Sequence, residues 1–267
     1  MKKISLTLAV FAVVTLSACG SATSSNTGPT ASSSDSSMSG SNSVSDSDES
    51  SILKDYFDAY ASANPDTMRS AAENAANGSV AQKYITHQSN IAEAYGASGY
   101  DRYVQDAKYS DESVSICGEG DDCGEYADFS YENSKLSSFT IDGNDISDRI
   151  SLGDGSIVKS KEVAGFEVLS SYQTVEGSLM AVVRFHAYDR PISFSYTATY
   201  RKPSGQQIED VDSYLPSRVA ADSNQLAIVI FPNSDNGGNL HLKFATDDDE
   251  EGGELIVETV DVPLSQN

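Results

Sequence analysis

Residues 247–251 place five consecutive carboxylates in a predicted hairpin turn, and carboxylate oxygens are the ligands that Ca²⁺ prefers. Because Ca²⁺ takes about six to eight oxygen ligands, Asp247 and Asp249 are candidates for part of such a set. Consecutive side chains of an extended segment point in alternate directions, however, and the run lacks the ligand spacing of an EF-hand loop. The sequence therefore favours a solvated acidic turn over a cation site.

A second group of oxygen ligands comes earlier in the chain. Asp142, Asn144 and Asp148 have a better alternate spacing, and Gly143 between the first two residues favours a turn. A solvated loop is again the favoured interpretation, with a bound cation as the alternative. We therefore predict no metal and no other cofactor.

The usual catalytic side chains form no recognisable arrangement in the sequence. His87, His186 and His241 lie on separate predicted elements, and none has a second histidine at metal-binding spacing. Many of the serines fall in an N-terminal segment of low complexity, where no base could be held beside them. The sequence contains no nucleophile elbow and no Walker-type phosphate loop. We therefore predict that the protein is not an enzyme.

The N-terminus has the features of a bacterial export signal. Two lysines at residues 2–3 precede a mostly apolar run over residues 4–16, which is shorter than the roughly 20 residues needed to span a bilayer. The sequence Leu-Ser-Ala-Cys at residues 16–19 resembles the lipobox of bacterial lipoproteins. The resemblance covers residues 1–19, and residues 1–18 are accordingly expected to be a signal peptide.

This resemblance implies that Cys19 receives a diacylglyceryl group and that a signal peptidase cuts between Ala18 and Cys19. Each buried methylene contributes about 0.8 kcal/mol, so two acyl chains anchor a protein where one binds only marginally. The protein is then held at the cell membrane by its lipid and faces the outside of the cytoplasm. The alternative is an ordinary signal peptide that leaves a free Cys19.

Residues 19–50 are predicted to be a disordered, Ser-rich tether. From residue 21 to residue 50 there is no aromatic side chain, and Met38 and Val44 are the larger apolar residues. Such a segment cannot bury enough apolar surface to offset the entropy of ordering it. A long polar tether after a lipobox is more similar to surface lipoproteins of Gram-positive actinobacteria than to short-tethered periplasmic ones.

The chain is strongly acidic, with a formal net charge of −23 at pH 7. This charge argues against binding to nucleic acid and against adsorption to anionic lipid or wall polymer. The expected contacts are the membrane, through the N-terminal lipid, and an extracellular protein or glycan. We expect a monomer.

Cys117 and Cys123 flank a loop that contains two glycines and two aspartates. An exported chain meets oxidising conditions, and a short hairpin loop of this kind is easily closed by a disulfide. Free thiols are one alternative. Zinc is another, but two cysteines without a nearby histidine make an incomplete ligand set. We therefore favour the disulfide.

Three helices are predicted at the start of the body. Apolar residues recur at helical spacing between Ile52 and Tyr60, which indicates the first helix. Asn64 followed by Pro65 is a typical cap and first turn for the second helix, and Ser79 caps the third. The helices should therefore begin close to these capping residues.

Short strands follow at residues 113–117, 125–131 and 135–141. This order of elements over residues 51–150 resembles the NTF2-like, cone-shaped α+β class. The resemblance implies helices packed on a small antiparallel sheet. Because such domains include both enzymes and binding modules, the fold alone would not decide the function. Residues 142–162, rich in Gly, Asp and Ser, are predicted to connect this domain to the next.

Residues 164–267 are predicted to be an all-β domain. Strands are indicated at residues 166–175 and 178–188, and residues 192–200 alternate between apolar and hydroxyl side chains. The nearly continuous apolar run at residues 225–231 suits a central strand. This pattern resembles an Ig-like β-sandwich in architecture, although the antibody-type disulfide and core tryptophan are missing from the sequence.

Tyrosine is the remaining candidate for ligand contacts. Tyr84, Tyr95, Tyr100 and Tyr103 lie close together at the end of the helical segment. A tyrosine offers both apolar area and a polar tip, which suits sugar or protein contacts, although core packing is the favoured interpretation.

We therefore predict a non-enzymatic, lipid-anchored surface protein that binds an extracellular partner or ligand. One alternative is a solute-binding component of a transporter. Its lobes would need an alternating βαβ pattern, which the second half of this chain lacks. The other alternative is an enzyme with a pocket in the NTF2-like domain.

Overall fold

A computed structural model describes residues 46–100, 102–118, 123–194, 198–211, 213–246 and 256–264. In these ranges helices come first and antiparallel sheets follow, so the predicted α+β class is confirmed, with a β-rich body. All of the described residues belong to one compact unit. The predicted signal peptide, the lipidation site Cys19, the cleavage site after Ala18 and residues 19–45 of the predicted tether lie outside the described residues. Residues 46–50, which were predicted to be the end of the disordered tether, are instead the start of the first helix.

The helices are α1 (Asp46–Ala61), α2 (Pro65–Asn74) and α3 (Val80–Ala97). Asn64 caps α2, because its Oδ1 accepts from the backbone N–H of Asp66 at 2.9 Å and of Thr67 at 3.1 Å. Ser79 caps α3 in the same way through the backbone N–H of Gln82. The predicted capping residues are thus confirmed. None of the described helices combines the length and the apolar character needed to cross a membrane.

The first sheet follows the helices and contains five antiparallel strands among the described residues. Their order in the sheet is the order in the chain. They are β1 (Asp106–Tyr109), β2 (Ser113–Cys117), β3 (Cys123–Glu132), β4 (Lys135–Ile141) and β5 (Asn144–Asp145). The predicted strands at residues 113–117 and 135–141 have the bounds of β2 and β4, whereas β1, which is mostly exposed, was not predicted.

A second sheet has the order β14-β9-β8-β6, with β7 paired to the other half of β8. Its strands are β6 (Ile150–Leu152), β7 (Ile157–Ser160), β8 (Ala164–Gln173), β9 (Leu179–Ala187) and β14 (Ser223–Phe231). The predicted strands at residues 166–175 and 178–188 correspond to β8 and β9. Backbone pairing also continues through the predicted connection at residues 142–162, because β5, β6 and β7 fall within it.

The third sheet has the order β12-β11-β15-β10-β13, with β16 paired to β15. Its strands are β10 (Ile192–Phe194), β11 (Thr199–Arg201), β12 (Gln207–Glu209), β13 (Arg218–Val219), β15 (Asn239–Thr246) and β16 (Ile256–Pro263). Residues 192–200 were predicted as one strand; the structure describes its two ends as β10 and β11, and residues 195–197 lie outside the described residues. Both strands pair with β15, at its two ends.

The second sheet contributes side chains to apolar clusters on both of its faces. On one face, Ile91 and Ala94 of α3 pack against Val182 of β9 and Ile228 of β14. On the other face, Phe166 and its neighbours share one core with apolar residues of the third sheet. Burial from both sides explains why β14 is nearly all apolar, although it lies at the end of its sheet and not at the predicted central position.

The helices cover the first sheet with a core rich in aromatic rings. Phe57 of α1 is fully buried between Tyr126 of β3, at 4.9 Å between ring centroids, and Phe139 of β4, at 5.7 Å. Tyr172 of β8 belongs to the same core. A side chain from the second sheet, Tyr172, therefore completes the core between the helices and the first sheet. The aromatic side chains of this core also form the wall of a pocket.

Candidate functional site: a tyrosine-lined pocket

A pocket of about 450 Å³ lies where α1 and α3 meet the first sheet and β8. Five tyrosines line it: Tyr60 from α1, Tyr84 and Tyr95 from α3, Tyr126 from β3 and Tyr172 from β8. Successive core-facing positions on α3 carry Tyr84, Gln88, Ile91 and Tyr95 into the same pocket, as the spacing of a helical face requires.

The tyrosine rings hold one another through edge-on contacts. The ring centroid of Tyr84 lies 5.7 Å from that of Tyr60, 6.1 Å from that of Tyr126 and 5.6 Å from that of Tyr172. Such pairs contribute about 0.5–1.5 kcal/mol beyond the area that they bury. The rings that form the wall of the pocket therefore pack against one another and are not independent surface side chains.

The hydroxyls of Tyr84 and Tyr126 lie 2.9 Å apart, at hydrogen-bond distance. Burial raises the pKa of both phenols well above the usual value, and neighbouring tyrosines raise it further. Both groups are therefore neutral at physiological pH. They can donate or accept hydrogen bonds, but they are poorly suited to act as proton-abstracting bases.

Among the described residues that line the pocket, Arg102 is the one cation. Its Nη1 donates to the backbone carbonyl of Gln88 at 3.2 Å, and its Nη2 donates to Gln88 Oε1 at 2.7 Å. The guanidinium also lies over the ring of Tyr60, 5.4 Å from the centroid, in cation–π geometry. Gln88 is only 6% exposed, so the surrounding packing holds its side chain, and its two hydrogen bonds keep the half-buried Arg102 in place.

Two carboxylates, Asp142 and Glu176, also line the pocket, and both are exposed residues. Asp142 Oδ1 accepts from the backbone N–H of Glu125 at 2.9 Å, which ties the carboxylate to the first residues of β3. The pocket thus combines solvent-facing negative charge with buried neutral hydroxyls and one half-buried positive charge.

Cys117 and Cys123 are joined by a disulfide, as predicted, and they stand opposite each other at the end of β2 and β3. Gly118, Cys123 and Gly124 line the pocket. The disulfide therefore fixes the part of the β2–β3 hairpin that borders the site. No sequence pattern related this hairpin to the tyrosines.

Among the described residues, the candidate cation ligands Asp142, Asn144 and Asp148 do not form a cluster of oxygen ligands. Asn144 Nδ2 donates to the backbone carbonyl of Asp142 at 2.9 Å, so these two residues form a turn, and Asp148 lies in a following exposed 3₁₀ turn. In the described part of the chain, no three His, Cys, Asp or Glu side chains are placed to hold a metal ion. Asp247 and Asp249 lie outside the described residues.

The histidines occupy three separate environments. His87 is fully buried on α3, and its Nδ1 lies 2.9 Å from Ser170 Oγ. Burial, assisted by the positive charge of Arg102, lowers the pKa of His87 to about 3. His186 lies 3.6 Å from Glu167, and His241 lies 2.8 Å from Asp261 on the third sheet. None of the three lines the tyrosine pocket.

Sequence reasoning grouped two of these tyrosines as a possible contact surface but favoured core packing for them. Of the four tyrosines that it grouped, Tyr84 and Tyr95 line the pocket, whereas Tyr100 and Tyr103 are more than half exposed, at 54% and 59%. It did not single out Arg102. The available signal was a lone arginine within the tyrosine-rich segment that follows α3.

A second pocket, of about 510 Å³, lies between α1, α2 and the β3–β4 turn. It is lined by small and hydroxyl side chains such as Thr67 and Ser70, with Tyr56 and Leu136 at its base. It shares no lining residue with the tyrosine pocket and therefore provides a place for control substitutions.

No family model matches the chain, and a search of curated proteins returned no significant match.

Proposed function

We propose that the protein is a non-enzymatic, lipid-anchored surface protein that binds a small extracellular ligand in the tyrosine pocket. The observation that carries this proposal is the convergence of five tyrosines and Arg102 on one pocket of about 450 Å³. This volume falls within the range of about 300–1,000 Å³ that is typical of small-molecule sites. Ring faces supply apolar contact, while a few fixed polar groups orient the ligand.

Binding is favoured over catalysis by the chemical state of the buried lining groups. The carboxylates of Asp142 and Glu176 also line the pocket, but both residues are exposed to solvent, and Asp142 already accepts from the backbone N–H of Glu125. The buried phenols of Tyr84 and Tyr126 are neutral at physiological pH, since burial raises their pKa. The imidazole of His87 is turned towards Ser170 and is not among the lining residues. A general base must lie within hydrogen-bond reach of the proton that it removes. The pocket offers hydrogen-bonding groups and charge, which are the requirements of recognition.

The finer fold assignment is part of this proposal. Helices α1–α3 packed on the sheet β1–β5, with a pocket between them, support an NTF2-like domain. The shared core of the second and third sheets supports an Ig-like sandwich. Both domains would then be displayed outside the cell membrane on the predicted tether.

The anchor is tested by metabolic labelling of the full chain with a palmitate analogue in a bacterial host. The expected result is a labelled, membrane-associated protein. The matched variant Cys19→Ala should lose the label and leave the membrane fraction. An unlabelled wild-type chain, or a Cys19→Ala variant that keeps its label, would contradict the lipid anchor.

The pocket is tested by thermal-shift screening of the full chain, purified in detergent, against monosaccharides, amino acids and small carboxylic acids. A ligand that raises the melting temperature should lose at least about tenfold in affinity in Tyr84→Ala, because a lining ring is removed. The control Ser70→Ala, in the second pocket, should bind normally. Equal affinities in both variants would place binding elsewhere on the protein.

A further inference from the structure

We infer that the ligand of the tyrosine pocket carries a carboxylate, and that Arg102 is the residue that binds it. This inference rests on the proposed binding function and names the chemical class of the ligand. It starts from the way in which the guanidinium is held. The Nη atoms of Arg102 donate to two oxygens of Gln88, both neutral, and its face rests on the ring of Tyr60.

These contacts fix the arginine without neutralising it. A guanidinium has more N–H donors than the two that Gln88 accepts, so donors are left for a further acceptor. None of the ion pairs found between described residues involves Arg102. A half-buried charge without a counterion is costly, and an anionic ligand would remove that cost.

The lack of a carboxylate partner for Arg102 among the described residues is informative because carboxylates are plentiful in this chain. The sequence has 40 acidic residues and 17 basic ones. Two other arginines of the same body show such pairing with carboxylates. Arg69 forms an ion pair with Glu93, and Arg184 forms one with Glu167 at 2.8 Å. At Arg102 the supporting residue is an amide, which holds the guanidinium in place and leaves its charge available.

The charges around the pocket favour a monoanion over a phosphate or a polyanion. Asp142 and Glu176 line the same pocket and would repel a ligand that carries several negative charges. The neighbouring His87 is neutral and turned away, so Arg102 is the only described cation that lines the pocket. A planar carboxylate also matches the fork of N–H donors that a guanidinium presents.

The remaining surface of the pocket suits a ring or a short aliphatic chain. The faces and edges of Tyr60, Tyr84 and Tyr172 supply apolar contact, and the Tyr84–Tyr126 hydroxyl pair can bond to one polar substituent. Benzoate is therefore a suitable minimal probe, and benzamide is its uncharged counterpart of nearly the same shape.

The test titrates the full chain in detergent with benzoate and with benzamide by calorimetry at pH 7. We expect benzoate to bind at least about tenfold more tightly than benzamide, which corresponds to about 1.4 kcal/mol. Arg102→Gln should abolish this preference. The control Arg69→Gln removes an exposed arginine that does not line the pocket and should keep the preference.

Three outcomes would overturn the inference, and they separate it from the binding function. Equal affinities of benzoate and benzamide that both fall in Tyr84→Ala would reject the carboxylate but keep the pocket. Benzoate affinity that is unchanged in Arg102→Gln would reject the role of Arg102. Failure of both probes to bind would reject the carboxylate, while the screen described above still tests the pocket independently. If Arg102→Gln does not fold, the tyrosine ring signals of the wild-type chain still test the carboxylate: shifts on benzoate addition that benzamide does not produce would support it, and equal shifts with both probes would reject it.

Discussion

His87 Nδ1 lies 2.9 Å from Ser170 Oγ, and this contact joins α3 to β8 in the interior of the protein. Asn90 of α3 donates to the same serine oxygen at 3.0 Å, so Ser170 forms hydrogen bonds with two residues of the helix. The His87 ring also packs on Tyr172, which lines the pocket. The protonation state of one histidine is thus tied to the packing beside the candidate site.

We predict that His87 makes the fold sensitive to acid. Burial lowers the pKa of His87 from 6.5 to about 3, so the folded state binds fewer protons than the unfolded state between these values. The stability contributed by neutral His87 is therefore fully present above pH 6.5 and declines as the pH falls towards 3. The slope for one such group is at most about 1.4 kcal/mol per pH unit.

Urea unfolding at several pH values checks this prediction. Replacement of His87 by Gln should lower stability at pH 7.5 but flatten its dependence on pH below 6.5. The control His241→Gln changes a histidine that is paired with Asp261 on the third sheet. It should leave the decline in the free energy of unfolding below pH 6.5 unchanged. Parallel pH profiles for the wild-type chain and the His87 variant would show that His87 is not the acid-sensitive group.

Gly153 is predicted to be intolerant of any side chain. A Cβ atom at this position would lie 1.7 Å from the backbone carbonyl oxygen of Val168, a distance that backbone movement alone can relieve. Gly153→Ala should therefore destabilise the protein by about 3 kcal/mol or more. Chemical denaturation gives the measurement.

Gly96 provides the matched control for this substitution. It lies within α3, and a Cβ there would meet no atom within 4 Å. Gly96→Ala should stabilise the protein by about 0.5–1 kcal/mol, because alanine loses less backbone entropy in a helix. Similar effects of the two substitutions would contradict the close approach at Gly153.

The Cys117–Cys123 disulfide should stabilise the fold moderately. A loop of this length contributes about 2 kcal/mol in the chain-entropy model. The double variant Cys117→Ser and Cys123→Ser should lose roughly that amount in urea unfolding. A reducing agent should weaken the wild-type chain to the same level and leave the double variant unaffected. A double variant as stable as the oxidised wild type would argue against the role assigned to this bond.

Asn236 is predicted to be a buried polar link between distant parts of the chain. Its Nδ2 donates to the backbone carbonyl of Arg149 at 2.8 Å, and its Oδ1 accepts from Ser171 Oγ at 3.2 Å. Asn236→Leu leaves buried polar groups without partners and should cost about 1–3 kcal/mol. The exposed Asn74 is the control, and its replacement by alanine should change stability by less than about 0.5 kcal/mol.

Local features of the fold were predictable because short-range chemistry decides them. Asn64 and Ser79 mark helix starts through their own side-chain oxygens, and those bonds are present. The bounds of β2 and β4 follow from apolar alternation between turn residues. The expectation that β14 is a central strand was wrong. A continuous apolar run indicates that both faces of a strand are buried, but it does not indicate where the strand lies in the sheet. Here α3 and the third sheet provide that burial at the end of a sheet.

The pocket could not be predicted in the same way. Tyr60, Tyr84, Tyr126 and Tyr172 are separated by many residues, and only the packing of α1, α3, β3 and β8 brings their rings together. The sequence could show that tyrosine is abundant, but it could not show which rings converge. The role of Gln88 as a support for Arg102 depends equally on contacts between an element and a loop.

The two-sided packing of α3 has a consequence for how the protein melts. One part of this helix carries Tyr84 and Ile85 in the aromatic core, while Ile91 and Ala94 pack on the second sheet. Separating α3 from either the first or the second sheet would expose buried apolar surface to water, which is unfavourable. Heating should therefore produce a single calorimetric peak, with equal van't Hoff and calorimetric enthalpies, instead of the two successive peaks of independent modules.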